Sequence, residues 1–391
     1  MVPLARALGA AGHDVRVACS ERFARYVAGA GLSPVVAGPD WVEEEAEEIY
    51  PGFMKDANAQ LTAFAEIPKL GLVRDLVELA VEWKPDVVIH DHTEFGGWIL
   101  GELLGIPSVP FAMTVRILDK PMLDLTIAAR VEDLLRHFGL PELNEVRPDR
   151  WLYLDSIPPS FCSAFFPAGQ TVHSLRYSTD DRTGGESLPQ WFAQLGERPI
   201  VYVTLGTIFN RLPGALAKLA RGASMLDVDV VVTTGRNLDP DALGPVPSNV
   251  RVERYLPQAD LIPECDAVVC HGGFNTVFAA LAAGRPVVVV PFSADQPLNA
   301  FLCNSNGLGA SCTTEQPEGS MFPLATPDAL AAQDISTALD RILSNASYTA
   351  AAGRMKDEIA AQPGVEHGVE LVEQLISTGA PVRNSSPGGR E

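Results

Sequence analysis

The chain has 391 residues, which is enough for two domains. Apolar residues make up 47% of the sequence and charged residues 20%, as in soluble globular proteins, and no apolar run is long enough to cross a membrane. The formal net charge of −20 argues against nucleic acid and anionic lipid as partners, since both are negatively charged themselves. We therefore expect neither nucleic-acid binding nor stable membrane insertion.

Six cysteines are scattered through the chain, and no two of them form a CxxC pair. Most lie in apolar surroundings, which predicts buried free thiols in a reducing compartment. The N-terminus lacks the basic segment before an apolar stretch that a secretory signal would have. Both features predict a cytoplasmic protein.

Helical and strand patterns alternate from the N-terminus to about residue 175. The first helix is expected at residues 1–8, ending near Ala11 because Gly12 follows it. The further predicted helices cover residues 21–30, 70–83, 95–104 and 125–138. The predicted strands cover residues 15–19, 34–37, 86–90, 107–111, 151–153 and 170–175. This alternation predicts βα units and a parallel sheet.

Three polar residues, His90, Asp91 and His92, stand at the end of the strand predicted at residues 86–90. The two histidines share one face of the strand, but no third ligand follows at a characteristic spacing, so a metal site is disfavoured. Asp91 taken alone is compatible with an N-cap of the helix that follows. The acidic run at 43–48 is more typical of a solvated face than of a metal site.

A polar segment with glycines at residues 178–187 divides the chain, and we place an interdomain linker at residues 178–196. The predicted strands beyond it cover residues 200–205, 228–233, 250–253, 267–270 and 287–290. The predicted helices there cover residues 277–283, 329–343, 348–361 and 369–377. Residues 379–391 have little apolar content and are expected to be disordered.

A glycine-rich turn joins the strand at 267–270 to the helix after it. The free N–H groups and the positive end of such a helix favour an anion, and Gly272 and Gly273 let a phosphate approach the backbone. His271 adds a ring donor, and Asn275 and Thr276 add side-chain donors. The turn therefore predicts a diphosphate site.

Asp295 and Gln296 follow the next predicted strand, at the same edge of the sheet. A carboxylate and an amide at this position can hold sugar hydroxyls through directional hydrogen bonds. The two turns together predict a site for a sugar attached to a diphosphate.

This region resembles the donor-binding region of nucleotide-sugar glycosyltransferases with the GT-B fold. It is most similar to the inverting, metal-independent enzymes that decorate bacterial natural products such as macrolides, enediynes and aromatic polyketides. The resemblance implies an α/β fold of two Rossmann-like, doubly wound domains that face a central cleft. Residues 1–177 would bind the acceptor and residues 197–364 the donor, and a C-terminal helix at residues 365–378 would cross back to the N-terminal domain.

The resemblance also implies roles for residues in other turns of the donor domain. Gly206 and Thr207, in a Thr-Leu-Gly-Thr turn, would contact the donor phosphate or lie beside the reacting sugar. The residues that would reach the nucleoside are Arg236, Tyr255, Leu256, Pro257 and Gln258. Tyr255 replaces the tryptophan common in the family, so it would stack on a pyrimidine over a smaller area.

Asp91 matches the aspartate that orients the catalytic histidine in this family, where the histidine deprotonates the acceptor hydroxyl. In relatives that histidine lies in a loop after an initial strand, and both would precede Met1. We expect a mis-assigned start or a truncation rather than a chain that catalyses poorly.

The implied reaction transfers a sugar from a TDP- or UDP-sugar to a hydroxyl of an apolar natural-product aglycone with inversion. TDP-deoxysugars are expected ahead of UDP-sugars. The nucleotide-sugar is a co-substrate, and neither a cofactor nor a metal is expected; the chain would be a monomer or a homodimer. Two alternatives stay open, a UDP-sugar 2-epimerase-like enzyme of the same fold and a catalytically impaired binding or helper protein.

Overall fold

A computed structural model of the chain describes most of the sequence. The described residues are 1–40, 66–69, 71–112, 114–116, 128–143, 146–162, 164–165, 168–178, 187–206, 212–235, 238–317 and 321–384. Several sequence predictions lie outside these residues, and they concern the acidic run 43–48, Thr207, Arg236, residues 179–186 of the linker and the tail beyond residue 384.

Strands and helices alternate through the described residues. The strands are β1 (Arg16–Cys19), β2 (Ser33–Val36), β3 (Val88–Asp91), β4 (Ser108–Ala112), β5 (Tyr153–Asp155), β6 (Val172–Ser174), β7 (Ile200–Thr204), β8 (Asp229–Thr233), β9 (Val250–Glu253), β10 (Ala267–Cys270), β11 (Val287–Val289) and β12 (Gly309–Ser311). The helices are α1 (Val2–Ala10), α2 (Glu21–Gly29), α3 (Leu72–Trp83), α4 (Phe95–Leu104), α5 (Ala128–His137), α6 (Pro159–Cys162), α7 (Pro213–Ser224), α8 (Gln258–Leu261), α9 (Phe274–Ala282), α10 (Gln296–Ser305), α11 (Ala332–Ser344), α12 (Ala346–Ala361) and α13 (Val365–Thr378).

The chain divides into two compact units. The first consists of Met1–Arg176 together with Gln362–Glu391, and the second is the continuous segment Tyr177–Ala361. Every strand pair within the described sheets is parallel. Parallel strands joined by helices make both units α/β structures.

The first unit holds a two-stranded sheet, β1-β2, and a four-stranded sheet, β3-β4-β5-β6. Helix α13 belongs to this unit and packs against α1. The two helices share one apolar cluster, to which α1 contributes Leu4 and Leu8 and α13 contributes Val372 and Leu375, all buried. This cluster joins the two ends of the chain within one core.

The second unit is built on a six-stranded parallel sheet with the strand order β12-β11-β10-β7-β8-β9. The chain runs outward from β7 to β9, returns to place β10 beside β7, and then runs outward on the other side. Strand order therefore reverses between β7 and β10. In open α/β sheets, ligands bind at the carboxyl edge of the strands at such a reversal.

Several elements of the second unit differ from the sequence prediction. Helix α9 begins at Phe274, three residues before the predicted start, because Gly273 already provides the extended N-cap residue. Helices α7 and α10 were absent from the prediction. Each carries a proline in its first turn, which is a known helix-start signal.

Element bounds in the first unit also differ from the patterns read along the sequence. The strand predicted at residues 151–153 lies at Tyr153–Asp155. The helical pattern at residues 369–377 lies within α13, which begins at Val365 and has the bounds given for the crossover helix, residues 365–378. The start of this helix follows Gly364 and its end precedes Gly379, whose φ of 58° is left-handed as in a common helix C-cap.

Candidate functional site

The turns that follow β7 and β10 lie side by side at the carboxyl edge of the second sheet. Thr204, the last residue of β7, pairs in register with Cys270, the last residue of β10. The residues just beyond these strands are Gly206 in one turn and His271 in the other. The sheet therefore brings together two predicted donor-site turns that are more than sixty positions apart in the sequence.

The imidazole of His271 is enclosed by glycines from both turns. A Cβ atom on Gly206, whose φ is 70°, would lie 2.6 Å from His271 Cε1, and one on Gly273 would lie 2.4 Å from His271 Nε2. A Cβ on Gly272, whose φ is 94°, would lie 2.4 Å from a methyl group of Val289. Each of these positions therefore requires glycine, and two of the three glycines make room for the histidine ring.

Burial lowers the pKa of His271 to about 4. The ring is therefore neutral at pH 7 and can donate one hydrogen bond to a phosphate without bringing a full positive charge. It stands directly before the N-terminus of α9, a nine-residue helix whose first turn carries the predicted donors Asn275, which is exposed, and Thr276, which is buried. Helix dipole and donors, rather than a cation, make this turn favourable for an anion.

A chain of buried hydroxyl groups runs beneath the two turns. The side-chain amide of Gln258 donates to the hydroxyl of Tyr202 at 3.1 Å, and that hydroxyl lies 2.7 Å from Thr233 Oγ1. Thr233 Oγ1 donates to Thr204 Oγ1 at 3.1 Å, and Thr204 Oγ1 also accepts from the backbone N–H of Gly206 at 3.1 Å. These bonds link the end of β9 to the turn after β7.

These hydrogen bonds fix the orientation of two of the predicted site residues. The N–H of Gly206 points inward to Thr204, and the residue has a left-handed backbone and lies close to His271. The amide of Gln258 likewise points to Tyr202. Of the other predicted nucleoside residues, Tyr255 is 42% exposed, whereas Leu256 and Pro257 are buried.

Asp295 and Gln296 lie at the start of α10, next to the turn after β11. Gln296 is buried, and its Oε1 accepts from the backbone N–H groups of Phe292 and Ser293 at 2.8 and 3.2 Å. Asp295 is half-buried and occupies the N-cap position of the helix. Ala294 just before it has a φ of 57°, a left-handed conformation that is strained for a residue with a Cβ. Gln296 thus stabilises the conformation of the loop through its hydrogen bonds, and the carboxylate of Asp295 lies at the end of that loop.

Asn299, which the sequence analysis did not single out, connects these turns. Its Nδ2 donates to the carbonyl of Gly272 at 2.9 Å and to Asp295 Oδ2 at 2.8 Å. The sequence signal was its position four residues after Asp295, which places both on one face of a helix.

In the first unit, Asp91 ends β3 beside the N-terminus of α4. Asp91 Oδ1 accepts from the N–H and the hydroxyl of Thr93, both at 2.8 Å or less. The N-cap of α4 is Glu94, whose carboxylate accepts from the backbone N–H groups of Gly96 and Gly97. The alternative interpretation of Asp91 as the helix N-cap is therefore wrong.

Two histidines flank Asp91 and are buried. His92 Nδ1 lies 2.8 Å from the hydroxyl of Tyr153, and His90 Nδ1 lies 2.8 Å from the carbonyl of Asp91. Burial is the largest cause that lowers the pKa of His92 to about 4. Within the described residues, these histidines do not belong to a metal site, because no group of three or more His, Cys, Asp or Glu side chains is placed to hold an ion.

A cavity of about 280 Å³ lies in the first unit near the ends of β1 and β2. Its lining is mainly apolar and includes Cys19, Ile67, Leu72 and Leu76, and it also includes Glu94. Burial raises the pKa of Glu94. The cavity is therefore suited to an apolar ligand. Across the described ranges, no helix is both long and apolar enough to cross a membrane.

Comparison with protein families and characterised proteins gives matches over nearly the whole chain. Residues 217–377 match the family "Erythromycin biosynthesis protein CIII-like, C-terminal domain". The chain is 33% identical to L-demethylnoviosyl transferase of Streptomyces niveus and 31% identical to the elloramycin glycosyltransferase ElmGT of Streptomyces olivaceus, over 93% of this chain in both cases and over 91% and 90% of the relative. It is 27% identical to the TDP-daunosamine transferase DnrS of Streptomyces peucetius, over 100% of this chain and 95% of the relative.

Solved structures agree with these matches. The glycosyltransferase VinC, in complex with DTDP, superposes with a TM-score of 0.74 at 25% identity over 96% of both chains. The spinosyn rhamnosyltransferase SpnG, complexed with spinosyn aglycone, superposes with a TM-score of 0.73 at 25% identity over 95% of both chains.

Proposed function

Because the chain belongs to the family of antibiotic glycosyltransferases with the GT-B fold, we propose that it transfers a sugar from a TDP-sugar to a hydroxyl group of an apolar natural product. The single observation that carries this proposal is the glycine-enclosed, neutral His271 at the N-terminus of α9, where strand order reverses. That arrangement suits a diphosphate. We assign donor binding to the second unit and acceptor binding to the first.

The donor diphosphate is assigned to the turns after β7 and β10. The helix α9 N-terminus, the ring of His271 and the side chains of Asn275 and Thr276 would stabilise the charge that develops as the bond to the sugar breaks. These groups would stabilise the leaving diphosphate, as a divalent metal ion does in other transferases. Asp295 would hold the sugar hydroxyls, which fixes the anomeric carbon for attack.

The nucleoside is assigned to the segment after β9. The exposed ring of Tyr255 is suited to stack on a pyrimidine, and the backbone around buried Leu256 and Pro257 is suited to reach the base edge. The names of the relatives favour TDP over UDP as the nucleotide.

The chemistry proposed is a single displacement with inversion. A base removes the proton of the acceptor hydroxyl, its oxygen attacks the anomeric carbon, and TDP leaves from the opposite face with the bonding electrons. As the family resemblance implies, the base would be a histidine oriented by Asp91. Asp91 Oδ1 is taken by Thr93, so Oδ2 is the oxygen proposed to hold that histidine.

The acceptor is assigned to the apolar cavity near β1 and β2. Its volume of about 280 Å³ accommodates part of a polycyclic or macrocyclic aglycone, and its apolar lining favours such a ligand.

Thermal unfolding of the purified chain with TDP, UDP, GDP and ADP tests the donor assignment. Ligand at a hundredfold over its dissociation constant stabilises by about 2.7 kcal/mol, a shift of roughly 5–10 °C for a unit of this size. We expect TDP to give the largest shift and His271→Ala to reduce it. No shift with any nucleotide in a folded sample would overturn the proposal. Turnover of a UDP-sugar without an acceptor would instead favour the 2-epimerase-like enzyme.

A further inference from the structure

Asn299 is a fully buried polar residue in the second turn of α10. Its amide nitrogen donates one hydrogen bond to the carbonyl of Gly272 and one to Asp295 Oδ2, at 2.9 and 2.8 Å. Both partners can only accept, which fixes the orientation of the amide. One side-chain group therefore spans the glycine-rich turn after β10 and the carboxylate after β11.

Asn299 also carries a buried polar atom whose desolvation is unfavourable, which opposes the gain from the two hydrogen bonds that its nitrogen donates. The carbonyl oxygen Oδ1 of Asn299 is buried and has no hydrogen-bond partner in the part of the chain that the structure describes. A buried polar atom without a partner is unfavourable. An apolar side chain would avoid this loss but would supply neither of the two hydrogen bonds that the amide nitrogen donates.

The loop that carries Asp295 is held by Gln296 on one side. Gln296 Oε1 accepts from the N–H groups of Phe292 and Ser293, so this amide fixes the start of the loop. Ala294 adopts a left-handed φ of 57°, so the loop has strain to relax if the carboxylate is released. Asn299 supplies a contact that ties the end of this loop to the neighbouring turn.

We propose that Asn299 is a positioning residue that keeps the carboxylate of Asp295 in register with the diphosphate turn, so that the sugar and the diphosphate of one donor are bound together. This inference rests on the proposed function, since it takes Asp295 as the group that holds the sugar. Asn299 itself touches neither part of the donor. Its effect reaches the sugar through Asp295 and reaches the diphosphate through the carbonyl of Gly272.

Binding calorimetry with two probes, TDP and TDP-glucose, separates positioning from simple support of the fold. A residue that only supports the fold changes both affinities by the same factor. A residue that positions Asp295 weakens TDP-glucose more than TDP. We expect Asn299→Leu, which keeps the number and branching of the side-chain heavy atoms and removes both donors, to lower the affinity for TDP-glucose relative to TDP by about fivefold to tenfold. Asn299→Ser, which is smaller and polar, serves if the leucine variant does not fold.

Asp295→Ala provides the reference for the sugar contact. If Asn299 acts through Asp295, the double variant Asn299→Leu/Asp295→Ala should have the same ratio of TDP-glucose affinity to TDP affinity as Asp295→Ala alone, because the contact that Asn299 positions is already lost. Asn306→Ala is the matched control, since Asn306 ends the same helix with its Nδ2 bonded to the carbonyl of Leu302. It should leave the ratio of the two affinities unchanged.

The outcomes are distinguishable. Equal loss of affinity for TDP and TDP-glucose in the Asn299 variants overturns the positioning role and leaves the proposed function in place. Additive effects of the Asn299 and Asp295 substitutions also overturn it. A wild-type protein that is folded and binds neither probe overturns the proposed function and this inference together.

Discussion

Protonation of His271 contributes to how the second unit responds to acid. Its pKa is lowered to about 4 by burial, compared with an ordinary value near 6.5. Two glycines pack against the ring. Burial there disfavours the charged imidazolium, so the folded state takes up a proton at His271 only at a lower pH than the unfolded state does.

The second unit should lose stability as the pH falls from about 6.5 toward 4. In that range the unfolded state binds a proton at His271 and the folded state does not, so unfolding is favoured by about 1.4 kcal/mol per pH unit. Above pH 6.5 this contribution is constant. The change of unfolding free energy with pH can be measured by denaturant unfolding at pH 4.5 to 7.5, with hydrogen exchange in peptides from Tyr177–Ala361 as the probe of the second unit. His271→Gln should lower this pH dependence by the uptake of one proton on unfolding. An unchanged pH dependence would show that another group is responsible.

Gly273 makes room for His271, and alanine there should abolish that arrangement. The added methyl group would lie 2.4 Å from His271 Nε2, so the ring must move away from the diphosphate turn. We expect Gly273→Ala to weaken TDP binding about tenfold or more, which corresponds to ~1.4 kcal/mol in calorimetry.

Gly353→Ala is the matched control for that substitution. Gly353 lies inside α12, and no atom lies within 4 Å of the position that a Cβ would take. Alanine should therefore stabilise the helix by about 0.5–1 kcal/mol and leave TDP binding unchanged. Equal TDP affinity in both variants would contradict the role assigned to the glycine pair.

At the scale of elements, strands β7 and β8 carry more than the apolar core. Their facing residues Thr204 and Thr233 are register partners, and with Tyr202 they form the buried hydroxyl chain between Gln258 and Gly206. The bonds have one direction: Thr233 donates its only hydroxyl proton to Thr204, so it must accept from the hydroxyl of Tyr202, which in turn accepts from the amide of Gln258. The position of the segment after β9 is thereby linked to that of the turn after β7.

Tyr202→Phe tests this link, because it removes one hydroxyl and keeps the buried ring. We expect a loss of about 1 kcal/mol in stability, since the amide of Gln258 and the hydroxyl of Thr233 each lose a partner. TDP affinity should fall about threefold or more, whereas Tyr348→Phe, on the partly exposed face of α12, should change neither quantity. Unfolding and calorimetry measure the two effects; unaltered TDP binding in Tyr202→Phe would show that the chain serves stability alone.

The elements also show what sequence could predict. The family and the GT-B fold class are confirmed. The buried strands β7, β8, β10 and β11 were predicted well because each is a short, mainly apolar run bounded by turn residues. The helices α7 and α10 were missed because their apolar patterns are weak and proline marks only their first turn.

Site residues that lie next to each other in one turn could be predicted from the sequence, and those whose contacts are distant in the sequence could not. His271, Gly272 and Gly273 could be singled out because their chemistry depends on adjacent positions in one turn. The position of Asn299 four residues after Asp295 indicates only its contact with Asp295, whereas its contact with Gly272 is created by folding across 27 positions and is not visible in the sequence. Glu94 was missed as the cap of α4, because two acidic residues stood near the helix start and only geometry decides between them.

At the scale of the whole molecule, the two units should respond differently to a nucleotide. The turns assigned to TDP all lie within Tyr177–Ala361. Hydrogen exchange with TDP at a hundredfold over its dissociation constant should therefore slow mainly in that segment, at the ends of β7 and β10 and the start of α9. His271→Ala gives the control. Protection of similar size near Asp91 and the cavity of the first unit would contradict the assignment of donor binding.

The division of the chain also governs how the donor specificity of this protein could be re-engineered. The first unit is interrupted in sequence, and its closing helix α13 contributes Val372 and Leu375 to the same core as Leu4 and Leu8. A hybrid enzyme that takes everything after Arg176 from a homologue would replace that helix and mismatch the core. Exchanging only Tyr177–Ala361, with two crossover points, leaves the parental helix on its parental partner. Hybrids made in this second way should fold far more often than single-crossover ones.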